Sequence, residues 1–211
     1  ADAVAKMVEY ACRMAENQEK LTTRFNGLCE ILCEAEVWTK MDGRMVVEGK
    51  DVEKAIRKKE YRLKMYEEKM EEMLDLGVVM VDTQGEKVGQ INGLAVLDMG
   101  NYTFGNPSRI TATTYIGKSG IVNIEKEAQM SGATHNKGVQ IITGYLGQTY
   151  AQDVPLSLSC RICFEQNYNG IDGDSASSTE LYCILSSLSG VPIRQDLAVT
   201  GSVNQRGEIQ A

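Results

Sequence analysis

The sequence is poor in the side chains that most catalytic centres rely on. It holds one histidine, His135, together with one tryptophan and three prolines among 211 residues. Structural zinc needs four ligands, and His135 lies outside any metal-ligand spacing. Cys160 and Cys163 form a lone C-x-x-C within LSLSCRICF, which alternates as a strand does and sends the two thiols to opposite faces. No metal is expected. Positive charge is also in deficit: 22 Lys and Arg against 29 Asp and Glu leave a net charge of −7. That balance excludes a general affinity for nucleic acid or anionic lipid, both of which need a basic surface. No stretch approaches the roughly 20 apolar residues that cross a bilayer, and nothing in the first residues resembles a signal peptide. No membrane partner is expected. The six cysteines sit among apolar neighbours in regular segments, which reads as a reduced, cytoplasmic protein. IGKSG (116–120) ends like a phosphate-binding loop, but the glycine required five positions before Gly117 is Ala112, in a strand-like run, so nucleotide binding there is rejected.

What is present is enough for a folded core, with 43% hydrophobic and 24% charged residues, the mixture of a globular protein of one or two domains. Composition changes at Gly77. Residues 1–76 carry three of the 20 glycines and no proline, whereas the remainder holds the other glycines and all three prolines. The expected organisation is α+β: an all-helical domain over 1–76, a connecting segment over 77–87, and a mixed α/β domain over 88–211.

In the first part Val4, Met7, Val8, Ala11 and Met14 recur at helical spacing, and Phe25, Leu28, Cys29, Leu32 and Val37 mark the expected buried side of a second helix. A turn at Asp42-Gly43 and a brief extended run over Met45–Val47 lead to a third helix entered near Asp51, expected as its N-cap. Ile56, Leu63, Tyr66, Met70 and Met73 form that helix's expected stripe, and its charges interleave as on a solvated face. Beyond Gly77 the β-type runs are GVVMVD, GLAVLDM, RITATTYI, GIVNIE, VQIITGYL, LSLSCRICF and LAVTGSV, with a helix before or within VQIITGYLGQTY. A further helix spans Ser175–Ser189, closed by Gly190.

The chemical interest lies in YNGIDGDSASSTELYCILSSLSG (168–190), where Ser175 heads an apolar helix. The free amides and positive dipole end of such a helix stabilise an oxyanion formed beside a hydroxyl. Small neighbours, Gly173, Ala176 and Ser177, admit a substrate backbone. On pattern alone, Asp174 or Ser175 reads first as an N-cap. His135, in SGATHNKG, reads as an ordinary loop or helix-start residue rather than a general base.

GDSAS (173–177), followed by LSGVPIRQDLAVTGSVNQRGEIQA (188–211), closely resembles the proteolytic domain of Lon in its B-type branch. NIEKEAQMSGATHNKG and GYLGQTYAQDVPLSLS resemble Lon-related bacterial proteins of the same branch, so the resemblance covers 88–211. It implies a Ser-Lys dyad with Ser175 as nucleophile, within the loop that holds Gly173 and Asp174. It also implies a base lysine about forty residues later, beyond Ala211. Thr200 matches a threonine that steadies the dyad, and Asp172 an acidic position able to pair with the lysine. The helical part resembles the small lid of AAA+ ATPases, with Arg24 at the place of a nucleotide-sensing arginine; the alternative is a surface arginine. No cofactor is expected on these residues, and ATP with Mg only where a large AAA+ subdomain accompanies them, since no Walker motif occurs here. The implied partners are unfolded or damaged proteins and further copies of the chain in a hexameric ring. The competing reading is a non-catalytic assembly or substrate-binding module, distinguished by whether a GG-x-x-x-K pattern follows Ala211. The chain starts without methionine and stops without punctuation, so both ends are expected to lie inside a longer protein.

Overall fold

The computed structural model describes residues 1–100, 102–168 and 170–210. The chain is α+β, and it divides into two compact units, Ala1–Glu68 and Lys69–Ala211.

The first unit is built on helices α1 (Asp2–Met14), α2 (Phe25–Met41) and α3 (Gly49–Leu63), and α4 (Met65–Asp75) crosses the division between units. Ile31 and Ala35 on α2 meet Val52 and Ala55 on α3 in a fully buried centre, ringed by Ala3, Met7, Tyr10, Trp38, Val47 and Ile56. The expected α2 stripe is corrected by this packing. Phe25, Leu32 and Val37 are 67%, 43% and 54% exposed, and Cys29 is exposed as well. The helix is apolar on two faces, and the one carrying Ala35 and Ile31 lets the α3 backbone approach closely. In α1, likewise, Val4 and Val8 face outward while Ala3, Met7, Tyr10 and Ala11 turn inward.

The start of α3 differs from expectation in an informative way. Glu48 is the N-cap and Asp51 is N3 of a capping box. Asp51 accepts from the Glu48 amide at 2.9 Å, from Thr39 Oγ1 at 3.0 Å, and from both Arg44 Nη atoms at 2.8 and 2.5 Å. No strand forms over Met45–Val47. The expected single long helix ends at Lys64, and α4 buries none of its residues, leaving Tyr66 and Met73 exposed.

The second unit is built on a five-stranded sheet with helices. Its elements are β1 (Glu86–Lys87), β2 (Gln90–Asp98), β3 (Thr103–Ile116), β4 (Gly120–Asn123), α5 (Ile124–Glu127), α6 (Ala133–Tyr150), β5 (Leu158–Phe164), α7 (Ser177–Ser189), β6 (Ile193–Arg194), β7 (Ala198–Val199), β8 (Ser202–Val203) and β9 (Ile209–Gln210). The sheet runs β4-β5-β3-β2-β7; the inner pairs are antiparallel and both edge strands are parallel to their neighbours. Ile110, Ile162, Phe164 and Cys160 of the sheet, Ile142 and Leu146 of α6, and Leu181, Cys183 and Ile184 of α7 share one core. Burial raises the Cys160 and Cys183 thiols to about 12, so they are packing groups rather than nucleophiles.

Two of the β-type runs are not strands. VQIITGYL lies within α6, the helix expected before or within VQIITGYLGQTY, where Val139, Ile142 and Leu146 are buried at helical spacing. GVVMVD forms no strand; its backbone is held instead by Gln166, whose Oε1 accepts from Met80 N at 2.7 Å while its Nε2 donates to Val78 O at 2.9 Å. The approach to β7 is fixed by buried Gln195. Its side chain donates to Gln90 O and Ile193 O, and its own carbonyl accepts from Asn92 Nδ2.

Candidate active site

The loop before α7 carries Ser175. Helix α7 begins at Ser177, after a turn, with Ala176 as a cap that makes no side-chain bond, two residues later than the sequence pattern placed it. Its first amides are satisfied by backbone rather than by side chains: Ser177 N donates to Asp174 O at 3.0 Å and Ser178 N to Gly201 O at 3.1 Å. Neither Asp172 nor Asp174 caps α7 with its side chain. The Ser175 side chain is exposed, and among the described residues its hydroxyl has no hydrogen-bond partner. It is therefore available to a ligand and is not a helix cap. The Ser175 and Ala176 amides are likewise without a partner among the described residues.

The segment 199–203 is fastened along the same loop and helix. Gly201 N donates to Ser175 O at 2.6 Å, Val203 N to Ser177 Oγ at 3.0 Å, and Thr179 Oγ1 to Val199 O at 3.0 Å. Thr200 lies inside this run with its side chain exposed. The structure thus brings Ser175 and Thr200 onto neighbouring, hydrogen-bonded backbones.

Helix α6 supports the loop from another side. Asp172 Oδ1 accepts from Thr134 N at 3.0 Å and His135 N at 3.1 Å, so it caps α6 from outside that helix. The Gly173 amide, joined by those of His135 and Thr134, holds the Asp172 carboxyl below the usual range. Two glycines make room. A Cβ on Gly132 would lie 2.2 Å from Asp172 Cγ, and one on Gly138 would lie 3.3 Å from Ser177 Cβ. Gly173, with φ +91°, adopts a backbone conformation that side chains disfavour.

Beneath the loop is a buried polar cluster that the sequence reading missed. His135 and Glu180 are both 0% exposed, and His135 Nε2 stands 2.9 Å from Glu180 Oε1. His135 Nδ1 faces Ser131 Oγ at 2.8 Å, and the Phe164 ring meets the imidazole edge-on. Burial alone would lower the imidazole pKa, yet the Glu180 carboxylate opposite keeps it above its ordinary value. Burial pushes the Glu180 carboxyl up, with His135 pulling the other way. A signal for this pair was present. Glu180 falls on the stripe Ser177, Leu181, Ile184, and a carboxylate on a buried helical face demands a partner. Arg24, the remaining candidate, is the N-cap of α2 and is exposed.

The profile for the archaeal LonB AAA+ ATPase LID domain matches residues 1–62. Over 212 aligned residues the chain is 33% identical to a Lon protease homolog of Escherichia coli K12, covering 100% of this chain and 36% of that protein. The chain is Lon-related. A Lon protease homolog of Haemophilus influenzae is 32% identical over 99% of this Lon-related chain and 35% of its own length. An archaeal Lon protease of Thermococcus kodakarensis is 29% identical over 99% of the chain and 32% of its own length. The Lon-related chain thus spans about a third of these relatives.

Proposed function

We propose that this chain carries the nucleophile of a Lon-type serine peptidase, with Ser175 as that nucleophile and residues 1–76 as the lid of an AAA+ ATPase. The observation that supports it is the free, exposed Ser175 hydroxyl on a loop anchored on two sides. A serine hydroxyl is weak at neutral pH and needs a base. By the resemblance that base is a lysine beyond Ala211, kept neutral by desolvation. The amine takes the Ser175 proton as Oγ bonds to the peptide carbonyl carbon, and the carbonyl electron pair becomes an oxyanion. The unpartnered Ser175 and Ala176 amides are its donors in this reading. Collapse breaks the C–N bond, the lysine returns the proton to the leaving amine, and water then releases the acyl group by the same steps. Thr200 steadies the dyad, and Asp172, already held ionised by backbone amides, offers its second oxygen to the lysine. The substrates are unfolded or damaged proteins, and the working assembly is a hexameric ring in the cytoplasm. Arg24 senses nucleotide only where a large AAA+ subdomain brings ATP and Mg.

The test is cleavage of fluorescein-labelled casein by the full-length protein and by Ser175→Ala. The expected outcome is a loss of at least about a thousandfold with melting unchanged. Turnover that survives the substitution, or a fall in stability with turnover intact, sinks the assignment.

A further inference from the structure

His135 touches the serine-bearing segment at both ends. Its backbone amide donates to Asp172, three residues before Ser175, and its Nε2 meets Glu180, five residues after it, at 3.1 and 2.9 Å. The imidazole is itself held from behind by Ser131 Oγ and flanked by the Phe164 ring. Ser131 in turn pairs with Ile171 in an isolated bridge, while Ile171 N donates to Met130 O and Gly132 N to Ile171 O. One residue in the first turn of α6 therefore joins the approach to the serine loop and the first turns of α7.

The cost of building this arrangement is visible. Among the described residues Glu180 Oε2 is buried with no partner, as is Oε2 of buried Glu125, whose Oε1 accepts from Phe164 N. An apolar pair would avoid that penalty, and replacing a buried ion pair by apolar groups is often neutral or stabilising. A polar pair in this place is accounted for by direction: a hydrogen bond fixes the rotation and height of α7 relative to α6 more tightly than interchangeable apolar contacts do. Ser175 projects from the turn that opens α7, so an error in α7 is an error in the nucleophile. A misplacement of about 1 Å at a reacting atom can cost on the order of a hundredfold in rate.

We infer that His135 is a positioning residue for Ser175, acting through its buried hydrogen bond to Glu180 and the hydrogen bond its backbone N–H donates to Asp172. The inference rests on Ser175 being the nucleophile. The proposed tether has Nε2–H donating to Glu180, which the imidazolium and the Nε2–H tautomer of the neutral ring both permit, so it does not require charge. His135 does not touch substrate.

The test uses the full-length protein, fluorescein-labelled casein, and a fluorophosphonate that captures a reactive serine without turnover. His135→Phe combined with Glu180→Leu keeps the volume apolar and removes the bond. The expected result is a fall in kcat of about tenfold to a hundredfold, a matching loss of fluorophosphonate capture, KM within about twofold, and little change in melting. Should that pair fail to fold, Glu180→Gln and Glu180→Met decide. The amide keeps an acceptor for Nε2–H and holds kcat within about threefold, while the thioether loses it and drops at least about tenfold. Equal kcat in these two, or parental kcat in the apolar pair while Ser175→Ala is inactive, overturns the positioning role alone. Activity that survives Ser175→Ala removes the nucleophile and the inference together.

Discussion

Asp51 in the helical unit and Glu180 in the mixed unit are both carboxylates buried near the start of a helix, at 2% and 0% exposure. Asp51 is fully engaged. Arg44 is the main cause holding its carboxyl well below the usual range, and the Glu48 amide and Thr39 hydroxyl add to it. Among the described residues Glu180 is hydrogen-bonded to His135 alone, with one oxygen unpartnered, and burial pushes its carboxyl upward. The same functional group is thus a satisfied staple in one unit and an under-satisfied one in the other. Full satisfaction is what stability selects, so the under-satisfied carboxylate points to a second demand, which here lies beside Ser175.

The largest effect expected from this contrast comes from neutralising each carboxylate with its amide. Asp51→Asn strips the charge from a site built around Arg44 and leaves that guanidinium without its main partner. The melting transition followed by Trp38, the one tryptophan of the 211 residues, should fall by about 10 °C. Glu180→Gln removes a charge that burial already disfavours, and protection of the α7 amides from hydrogen exchange should correspond to a shift of about 2 °C or less. Equal losses at the two sites would erase the contrast.

Acid and base should separate the units next. Asp51 is depressed, so its contribution is present above its ordinary value of 3.8 and is lost as pH falls through the lower native value. His135 is raised, so its contribution is present below 6.5 and lost as pH rises through the higher native value. Glu180, also raised, has the same sign, and the other carboxylates acting on the imidazole are Glu125 and Asp172. Between pH 6 and 9 the second unit should lose about 5 °C of melting temperature while the Trp38 transition stays level. Glu180→Gln should flatten that slope; a slope that persists would assign it elsewhere.

Much of this architecture was legible in the residues, and the exceptions share a cause. Gly190 closes α7 at φ +71°, and LSLSCRICF is strand β5 with Cys160 in the core and Cys163 half-buried, because glycine and strict alternation are local signals. The α2 face is not decided by the sequence, because Phe25, Leu32 and Val37 form as good a helical stripe as Ile31, Ala35 and Trp38, and only the fit to α3 chooses between them. Asp51 reads as the cap because spacing alone does not separate an N-cap acid from one at N3 that reaches back. At the site, the loop around Ser175 was marked by its own residues. The α6 support was not, since Gly132 and Gly138 matter for what approaches them, and the sequence shows no approach. Glu180 was hidden among apolar neighbours in a helix read for its leucines.

The close approach at Gly132 makes a smaller, local prediction. Gly132→Ala places a methyl group where the Asp172 carboxylate stands, so the carboxylate must leave the α6 amides. The second unit should lose about 3 °C, and kcat of the full-length protein should fall with it. Asp172→Asn, which keeps one amide-accepting oxygen, should lose less. If Gly132→Ala melts like the parent, Asp172 is not a structural cap of α6.

Thr200 carries the smallest expected change and the sharpest separation of scaffold from chemistry. Among the described residues its neighbours make the bonds that fasten 199–203 to the serine loop and α7: Val199 through its carbonyl, Gly201 through both amide and carbonyl, and Val203 through its amide. The Thr200 side chain is exposed and, among the described residues, makes no hydrogen bond. Val is isosteric and equally β-branched, so Thr200→Val leaves the extended backbone and its bonds in place. Melting of the second unit should move by about 1 °C or less. If the hydroxyl steadies a dyad centred on Ser175, turnover of labelled casein by the full-length protein should still fall by about threefold to tenfold, in kcat rather than in KM. An unchanged kcat would confine Thr200 to the scaffold, with the serine loop held by backbone bonds alone.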